Sequence, residues 1–306
     1  MQQYLMQKTA GFLLTAILVS IVTFLVVQIL PGDPALLMLG TEATPEVYSR
    51  LREELKLDRS PVERYLRWFW NFVQGEWGSS WRYSLPVRDL VAQAFPLSLT
   101  LAFLAVGVAL LAAAPAGMLM AAAPRSLFSH FLSITTQVGM GLPQFWAGLL
   151  LIQVFAVNFG LLPPGGNSDW TGFVLPVITL ALPRAAILSR FMRVGMADAL
   201  KQDYIRTAHA KGLARSVVFF KHALRPGSLG VFTVAGLQFA QLLAGTIVVE
   251  QVFGLPGVGQ LLLAGVFQRD LPLVQTVVMI VVLLILLFDL AFDLFLGLLD
   301  PRIRYE

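Results

Sequence analysis

Two acidic residues in the last apolar segment, Asp289 and Asp293, are candidates for chemistry. They stand four residues apart and so share one face of a helix, and acids inside a membrane segment indicate function by default because they are costly there. Paired carboxylates hold magnesium and diphosphate in intramembrane prenyl-transferring enzymes, which is one interpretation. That chemistry needs a second Asp-rich motif on a facing helix, and the sequence contains none. A structural role is therefore favoured.

A glycine-rich stretch, GLPGVG, begins at Gly254 and invites comparison with a phosphate-binding loop. Such a loop requires Gly-Lys-Ser/Thr, whereas Gln260 follows the last glycine, and the signature occurs nowhere in the chain. We therefore expect no ATP hydrolysis by this chain alone. The three histidines, His130, His209 and His222, are scattered, and the sequence has no Cys. No metal site is expected.

The composition is that of a membrane protein, with 57% hydrophobic and 13% charged residues. Apolar runs of this length predict transmembrane helices, and a net charge of only +4 gives no indication of a nucleic-acid partner. We expect an all-α fold with six spans, the first retained as an anchor, and both termini in the cytoplasm. The predicted spans cover residues 11–30, 95–123, 131–162, a stretch from residue 170, 231–253 and 273–299.

The third predicted span is too long for one straight crossing, and Pro143 within GMGLPQFW predicts a break near mid-membrane. Broken helices are tolerated at that depth only against protein or a water-filled cavity, so this segment is a candidate for the lining of a translocation path.

Gln137 and Gln238 also lie in apolar spans and either hydrogen-bond between helices or line the path. For Gln153 and Gln241, helix packing is favoured.

Arg184 lies in the fourth span, nine residues before Arg193 and hence about 14 Å inside the cytoplasmic end. A charge at that depth should face the bundle interior. Two roles stay open: specificity, for example for a carboxylate, or a salt bridge to a neighbouring helix.

The polar segment 31–94 is expected to be extracytoplasmic. Thr44 before a proline, and Ser60 followed by Pro-Val-Glu, are helix-start signals, and they predict helices over residues 45–57 and 61–74. Four tryptophans follow in a few turns, which is typical of a membrane interface, although stacking on a ligand is an alternative. They are Trp68, Trp70, Trp77 and Trp81.

Residues 203–226, DYIRTAHAKGLARSVVFFKHALRP, carry five Lys or Arg. Each basic side chain costs roughly 2.5 to 3.5 kcal/mol at a bilayer centre, so this segment should be a cytoplasmic loop. Asp203 is a candidate N-cap, and Gly212 a candidate helix end in the left-handed conformation. Ile205, Ala208 and Leu213 recur at helical spacing and should be covered by a protein surface.

This loop resembles the cytoplasmic coupling loop, or EAA loop, of permease subunits in bacterial ABC importers for dipeptides, oligopeptides and nickel. The similarity extends to LPGDP at 30–34, LKLDRSPVERY at 55–65, VEQVFGLPGVG at 249–259, RDLPLVQ at 269–275 and DPRIR at 300–304. It implies the type I ABC importer transmembrane fold of the inner membrane. Residues 1–94 would form the anchor helix and an extracytoplasmic insertion, and residues 95–306 the transmembrane core.

The resemblance also implies a role for the loop, which in that family fits a groove on the ATPase subunit and passes its motion to the helices. The residues implied are Asp203, Tyr204, Ile205, Arg206, Thr207, Ala208, Lys211, Gly212 and Leu213. The implied partners are a second, distinct permease, two ATPase subunits and an extracytoplasmic binding protein. ATP and magnesium would bind the ATPase subunits, so no cofactor is expected in this chain. Di- or oligopeptides are the favoured cargo, with glutathione or nickel chelates as alternatives.

The sequence departs from the family pattern after HALR, where Pro226 and Gly230 stand instead of Asn and a later Pro. We therefore expect the exit from the loop to be built differently. Arg184 falls where the family would place an uncharged residue. Asp293 matches an acid that the family carries near the cytoplasmic end, and pairing with an arginine of the coupling region is expected.

Overall fold

The computed structural model describes residues 2–29, 35, 39, 44–54, 57–166 and 169–299. The matches at residues 30–34 and 300–304 lie outside these residues. In chain order the main α-helices are α1 (Gln2–Ile29), α2 (Pro45–Glu54), α3 (Pro61–Gln74), α4 (Val87–Ala122), α5 (Leu127–Gly141), α6 (Gln144–Leu151), α7 (Val174–Ala199), α8 (Asp203–Ala210), α9 (Leu224–Phe253), α10 (Val258–Phe267) and α11 (Leu271–Leu299).

Five helices in the described part of the chain are long and apolar enough to cross a membrane. They are Met6–Val27, Val87–Ala122, Trp170–Ala199, Arg215–Phe253 and Leu271–Leu294. The bent pair Leu127–Gly141 and Gln144–Asn158, whose halves meet at 110°, is a sixth candidate and forms either a broken span or a re-entrant loop. The break falls at Pro143, which has ψ 134°, because proline disfavours the helical conformation in the residue before it and lacks an N–H. The predicted all-α fold is confirmed, with five to six candidate spans in the described part of the chain, and the third predicted span is broken at Pro143 as expected.

The predicted helices of the polar segment are present. The Ser60 hydroxyl accepts a hydrogen bond from the Glu63 N–H at 3.3 Å, so the predicted cap forms. The Thr44 hydroxyl accepts one from the Val47 N–H at 3.4 Å. Helix α3 ends at Gly75, whose φ of 83° is the left-handed conformation that glycine adopts without strain.

The chain forms two compact units, one comprising the described residues up to Leu97 together with Pro256–Leu290. In this unit, aromatic rings connect α1 to α3. The ring centroids of Phe24 and Tyr65 lie 5.5 Å apart, and ring contacts continue through Trp68 toward Trp77. Trp68 and Trp77 are therefore half-buried against neighbouring aromatic rings, whereas Trp70 is 62% exposed, and its position at the headgroup level stays a prediction.

Asp270 ties the polar segment to the start of α11 within the same unit. The side chain is buried and accepts hydrogen bonds from the Ser80 hydroxyl at 2.5 Å and the Arg82 N–H at 3.1 Å. Its other oxygen accepts the Leu273 N–H at 3.3 Å. One carboxylate thus caps a helix and fixes a turn 190 residues away in sequence.

The second unit comprises Ser98–Leu255 and the described residues from Ala291. Helix α7 is at its centre, packed against α5, α6 and α9. A Cβ added to Gly117 of α4 would lie 2.6 Å from the Ser189 carbonyl oxygen, so the absent side chain is what lets α4 reach α7. Near the end of α9, the fully buried Glu250 accepts a hydrogen bond from the Ser98 hydroxyl at 2.6 Å.

Candidate functional sites: the coupling helix and a buried arginine

Helix α8, which we call the coupling helix, is separated from the end of α7 by three residues. Its N-cap is Gln202, which makes no side-chain capping bond, so the prediction that Asp203 is the cap is wrong. Asp203 is the first helical residue, where its charge favours the helix N-terminus, and it pairs with Arg206 at 3.3 Å. Both side chains are largely exposed.

The inner face of the coupling helix is covered by the chain itself. Ile205 and Ala208 are only 3% and 6% exposed, and the helix packs against the π-helical turn Val218–Ala223. The protein surface that was expected to cover these two residues therefore belongs to the same chain. The third residue of that pattern, Leu213, is 38% exposed.

The outer face of the coupling helix is open to a partner. Tyr204 is 44% exposed, and the other exposed residues predicted for coupling on this helix and at its C-cap are polar or charged. They are Asp203, Arg206, Thr207 and Lys211. An exposed aromatic ring among charges is typical of a protein contact rather than of a lipid-facing surface.

Gly212 ends the coupling helix as predicted. Its φ is 75°, and the reversal allows the Leu213 N–H to donate to the Ala208 carbonyl at 3.3 Å. A residue with a Cβ is strained in this conformation. The glycine thus determines where the second arm of the loop begins.

The second arm of the loop is continuous with the fifth span. A single helical turn, Arg215–Val217, leads through the π-helical turn Val218–Ala223 directly into α9, so that one apolar helix runs from Arg215 to Phe253 over 39 residues. Pro226 lies at the junction between the π-helical turn and α9, where its ring removes one backbone hydrogen bond of the continuous helix. The departure from the family pattern therefore coincides with a π-helical exit, which sequence reasoning did not identify.

The second site surrounds the break in the third span. Pro143 precedes α6, and Gln144 is the first residue of that helix. With the Gln144 amide oriented so that its oxygen faces Arg184, this oxygen accepts hydrogen bonds from both terminal nitrogens of the guanidinium, at 3.2 Å from Nη2. A Cβ on Gly245 of α9 would lie 3.2 Å from the same Nη2 and 3.3 Å from the Gln144 amide. Three helices thus meet at one guanidinium.

Arg184 has no acidic partner among the described residues, and its buried Nε finds no hydrogen-bond acceptor there. Of the two roles left open for Arg184, the salt bridge to a neighbouring helix is absent from the described part of this chain. Gln144 and Gly245 were not identified from the sequence. The sequence feature that could have indicated Gln144 is its place directly after a helix-breaking proline.

The other residues predicted for the path are placed differently. Gln238 is buried at 8% exposure, whereas Gln137 is exposed. Gln153 donates to Asn158 at 3.0 Å within the same π-helical segment, so its packing against another helix stays a prediction. Asp289 and Asp293 are half-buried on α11, and the pairing of Asp293 with an arginine stays a prediction.

Comparison with known proteins matches nearly the whole chain. The family model described as "Binding-protein-dependent transport system inner membrane component" matches residues 113–305, and the N-terminal model of the same systems matches residues 1–102. The chain is 39% identical over 307 residues to the glutathione transport system permease protein GsiC of Escherichia coli K12, with all of both chains covered. The same identity and coverage hold for GsiC of Shigella dysenteriae serotype 1.

Solved structures share the fold. An inward-facing methionine ABC transporter, MetNI, has a TM-score of 0.59 at 16% identity and covers 70% of this chain and 98% of that one. An amino acid ABC transporter has a TM-score of 0.53 at 21% identity and covers 70% of this chain and 94% of that one. Both are ABC transporters, and at this level of identity the likeness concerns the fold.

Proposed function

The chain belongs to the family of binding-protein-dependent transport system inner membrane components, and we propose that it imports short peptides, glutathione among them, as one half of a heteromeric translocation pathway. It is a multi-pass permease subunit of an ATP-driven ABC importer. Relatives identical at 39% over their full length are named for glutathione transport. Glutathione is itself a tripeptide, so both expected cargo classes share amide groups and carboxylates.

The complete transporter contains a second permease of similar but distinct sequence. Six spans from one chain supply half of a pathway, and the family name implies an extracytoplasmic binding protein that delivers the cargo. ATP and magnesium bind two ATPase subunits on the cytoplasmic side, where both termini of this chain also lie. This chain itself carries out no catalysis.

The motion of the ATPase reaches the permease at the exposed face of the coupling helix and at the turn after it. Tyr204 on the helix and Leu213 after it contact the ATPase. The buried face, with Ile205 and Ala208, holds the helix to the base of the fifth span. The continuous helix from Arg215 to Phe253 carries this proposal, because 39 residues correspond to a rod about 60 Å long. A displacement at its base is thereby transmitted across the membrane.

Reconstitution of the four components into proteoliposomes tests this function. We expect ATP-dependent uptake of radiolabelled glutathione or a dipeptide that requires the binding protein, with nickel chelate as the comparison cargo. The chain purified alone should hydrolyse no ATP. Uptake that proceeds without the ATPase subunits, or magnesium-dependent turnover of a prenyl diphosphate that is lost in an Asp289→Asn, Asp293→Asn double variant, would contradict the proposal.

A further inference from the structure

Arg184 lies at the midpoint of its span, 14 residues after Trp170 and 15 before Ala199. A guanidinium at that depth is costly to place in a membrane. Intramembrane charges are usually paired with one another or placed on a substrate pathway. The pairing is absent among the described residues of this chain, so the pathway is the explanation to test.

The neighbours of Arg184 orient the guanidinium without neutralising it. Gln144 supplies one neutral acceptor, shared by both terminal nitrogens, and an amide oxygen leaves the positive charge in place. Gly245 leaves open the space that a side chain on α9 would take. A guanidinium has five N–H donors, and Nε has no acceptor here among the described residues. Donors and charge therefore remain for a further, anionic group.

We propose that Arg184 recognises a carboxylate of the cargo during transit, with Gln144 and Gly245 as positioning residues. This inference rests on the proposed function and names the chemical feature that the pathway selects. Arginine suits the task because its planar fork matches the two oxygens of a carboxylate. Every short peptide with a free C-terminus carries one such group, and glutathione carries two.

The position of Gln144 makes the site specific to this fold. Helix α6 starts immediately after the break at Pro143, and the bend of 110° brings its first residue to α7 and α9. If the third span were straight, residue 144 would continue along the axis of α5 and would lie away from Arg184 and Gly245. The broken helix and the uncompensated arginine are thus parts of one arrangement.

The test compares variants of the reconstituted complex, with the binding protein's loading measured separately. Arg184→Gln should lower uptake of glutathione at least about tenfold, as expected for loss of a buried charge-assisted hydrogen bond, while ATPase stimulation by the loaded binding protein stays at the wild-type level. Arg184→Lys keeps the charge but not the planar fork, so its uptake should lie between those of Arg184→Gln and wild type. Arg193→Gln is the matched control, because Arg193 lies on the same helix and donates to the neutral Ser133 at 2.8 Å.

A second measurement compares the uptake of a peptide with the uptake of the same peptide amidated at its C-terminus. Uptake of each cargo is expressed per loaded binding protein. Wild type should prefer the free carboxylate, and Arg184→Gln should lose that preference. Unchanged uptake in Arg184→Gln overturns the proposal, and so does a parallel loss of uptake, ATPase stimulation and recovered complex, which would make the residue structural. If the Arg184→Gln complex instead loses the second permease during purification, Arg184 pairs with an acidic residue of that permease, and the proposal is overturned. If the wild-type complex imports neither cargo, the proposed function fails and this inference falls with it.

Discussion

Gly195 on α7 and Gly227 on α9 pack backbone against backbone beside the coupling helix. A Cβ on Gly195 would overlap the Gly227 carbonyl oxygen, and a Cβ on Gly227 would lie 3.1 Å from the Met196 Cα. Small residues allow such close approach of membrane helices. The fourth and fifth spans are therefore joined where the coupling helix connects them.

Gly195→Ala should separate these two helices, because the obstructing atoms belong to the backbone and cannot rotate away. Overpacking of this kind costs about 1 to 3 kcal/mol, so we expect a lower unfolding temperature of the detergent-solubilised complex and reduced uptake. Gly230→Ala, on the same helix as Gly227 with nothing within 4 Å of its Cβ, is the control. Equal stability of the two variants would show that the contact does not join the spans.

Gly212→Val should disturb the turn of the coupling loop, since a left-handed conformation costs roughly 1 to 2 kcal/mol for a residue with a Cβ. The ATPase subunits should co-purify less well and uptake should fall, while membrane insertion stays normal. Gly212→Asn is the matched variant, because asparagine tolerates this conformation. If Val and Asn behave alike, the backbone conformation at this position is unimportant for coupling.

Tyr204→Ala should weaken retention of the ATPase subunits without unfolding the permease, because the side chain is exposed on the coupling helix. An interfacial tyrosine commonly contributes more than 1 kcal/mol, or about fivefold or more in affinity. Leu127→Ala, at a residue 90% exposed at the start of α5, should leave retention unchanged. Wild-type retention and uptake in Tyr204→Ala would place the contact elsewhere.

Ala208→Glu should act by a different route, because Ala208 is buried within the chain. An unpaired buried charge destabilises its surroundings, so the loop itself should open. Limited proteolysis of the solubilised permease without its partners should show faster cleavage in the loop than in wild type or Tyr204→Ala. A protected loop with lost ATPase binding would instead mean that Ala208 faces the partner.

Ser98→Ala should destabilise the second unit, because it removes a hydrogen bond to the fully buried Glu250. Losing a donor to a buried charged group costs about 1 to 3 kcal/mol, which should appear as a lower unfolding temperature. Ser228→Ala is the control, since that exposed hydroxyl donates to the carbonyl of Arg225 on its own helix. Identical unfolding temperatures would show that the Ser98 bond is dispensable.

Local chemistry was readable from the sequence alone. Span lengths follow from apolar runs, the break at Pro143 from the proline ring, the cap at Ser60 from its hydroxyl and the turn at Gly212 from the absence of a Cβ. Each depends on residues within one or two turns of each other. The charge of the coupling loop likewise excluded it from the bilayer without reference to any neighbour.

Which way each helix face points was decided only by the tertiary structure. Helical spacing groups Ile205 with Ala208, but it does not say whether their cover is a partner or the turn Val218–Ala223. In a membrane helix the contrast is weaker still, because lipid-facing and protein-facing surfaces are both apolar. The meeting of Gln144, Arg184 and Gly245 depends on a 110° bend and on the packing of three separate helices, and no local pattern encodes which side chains such packing brings together.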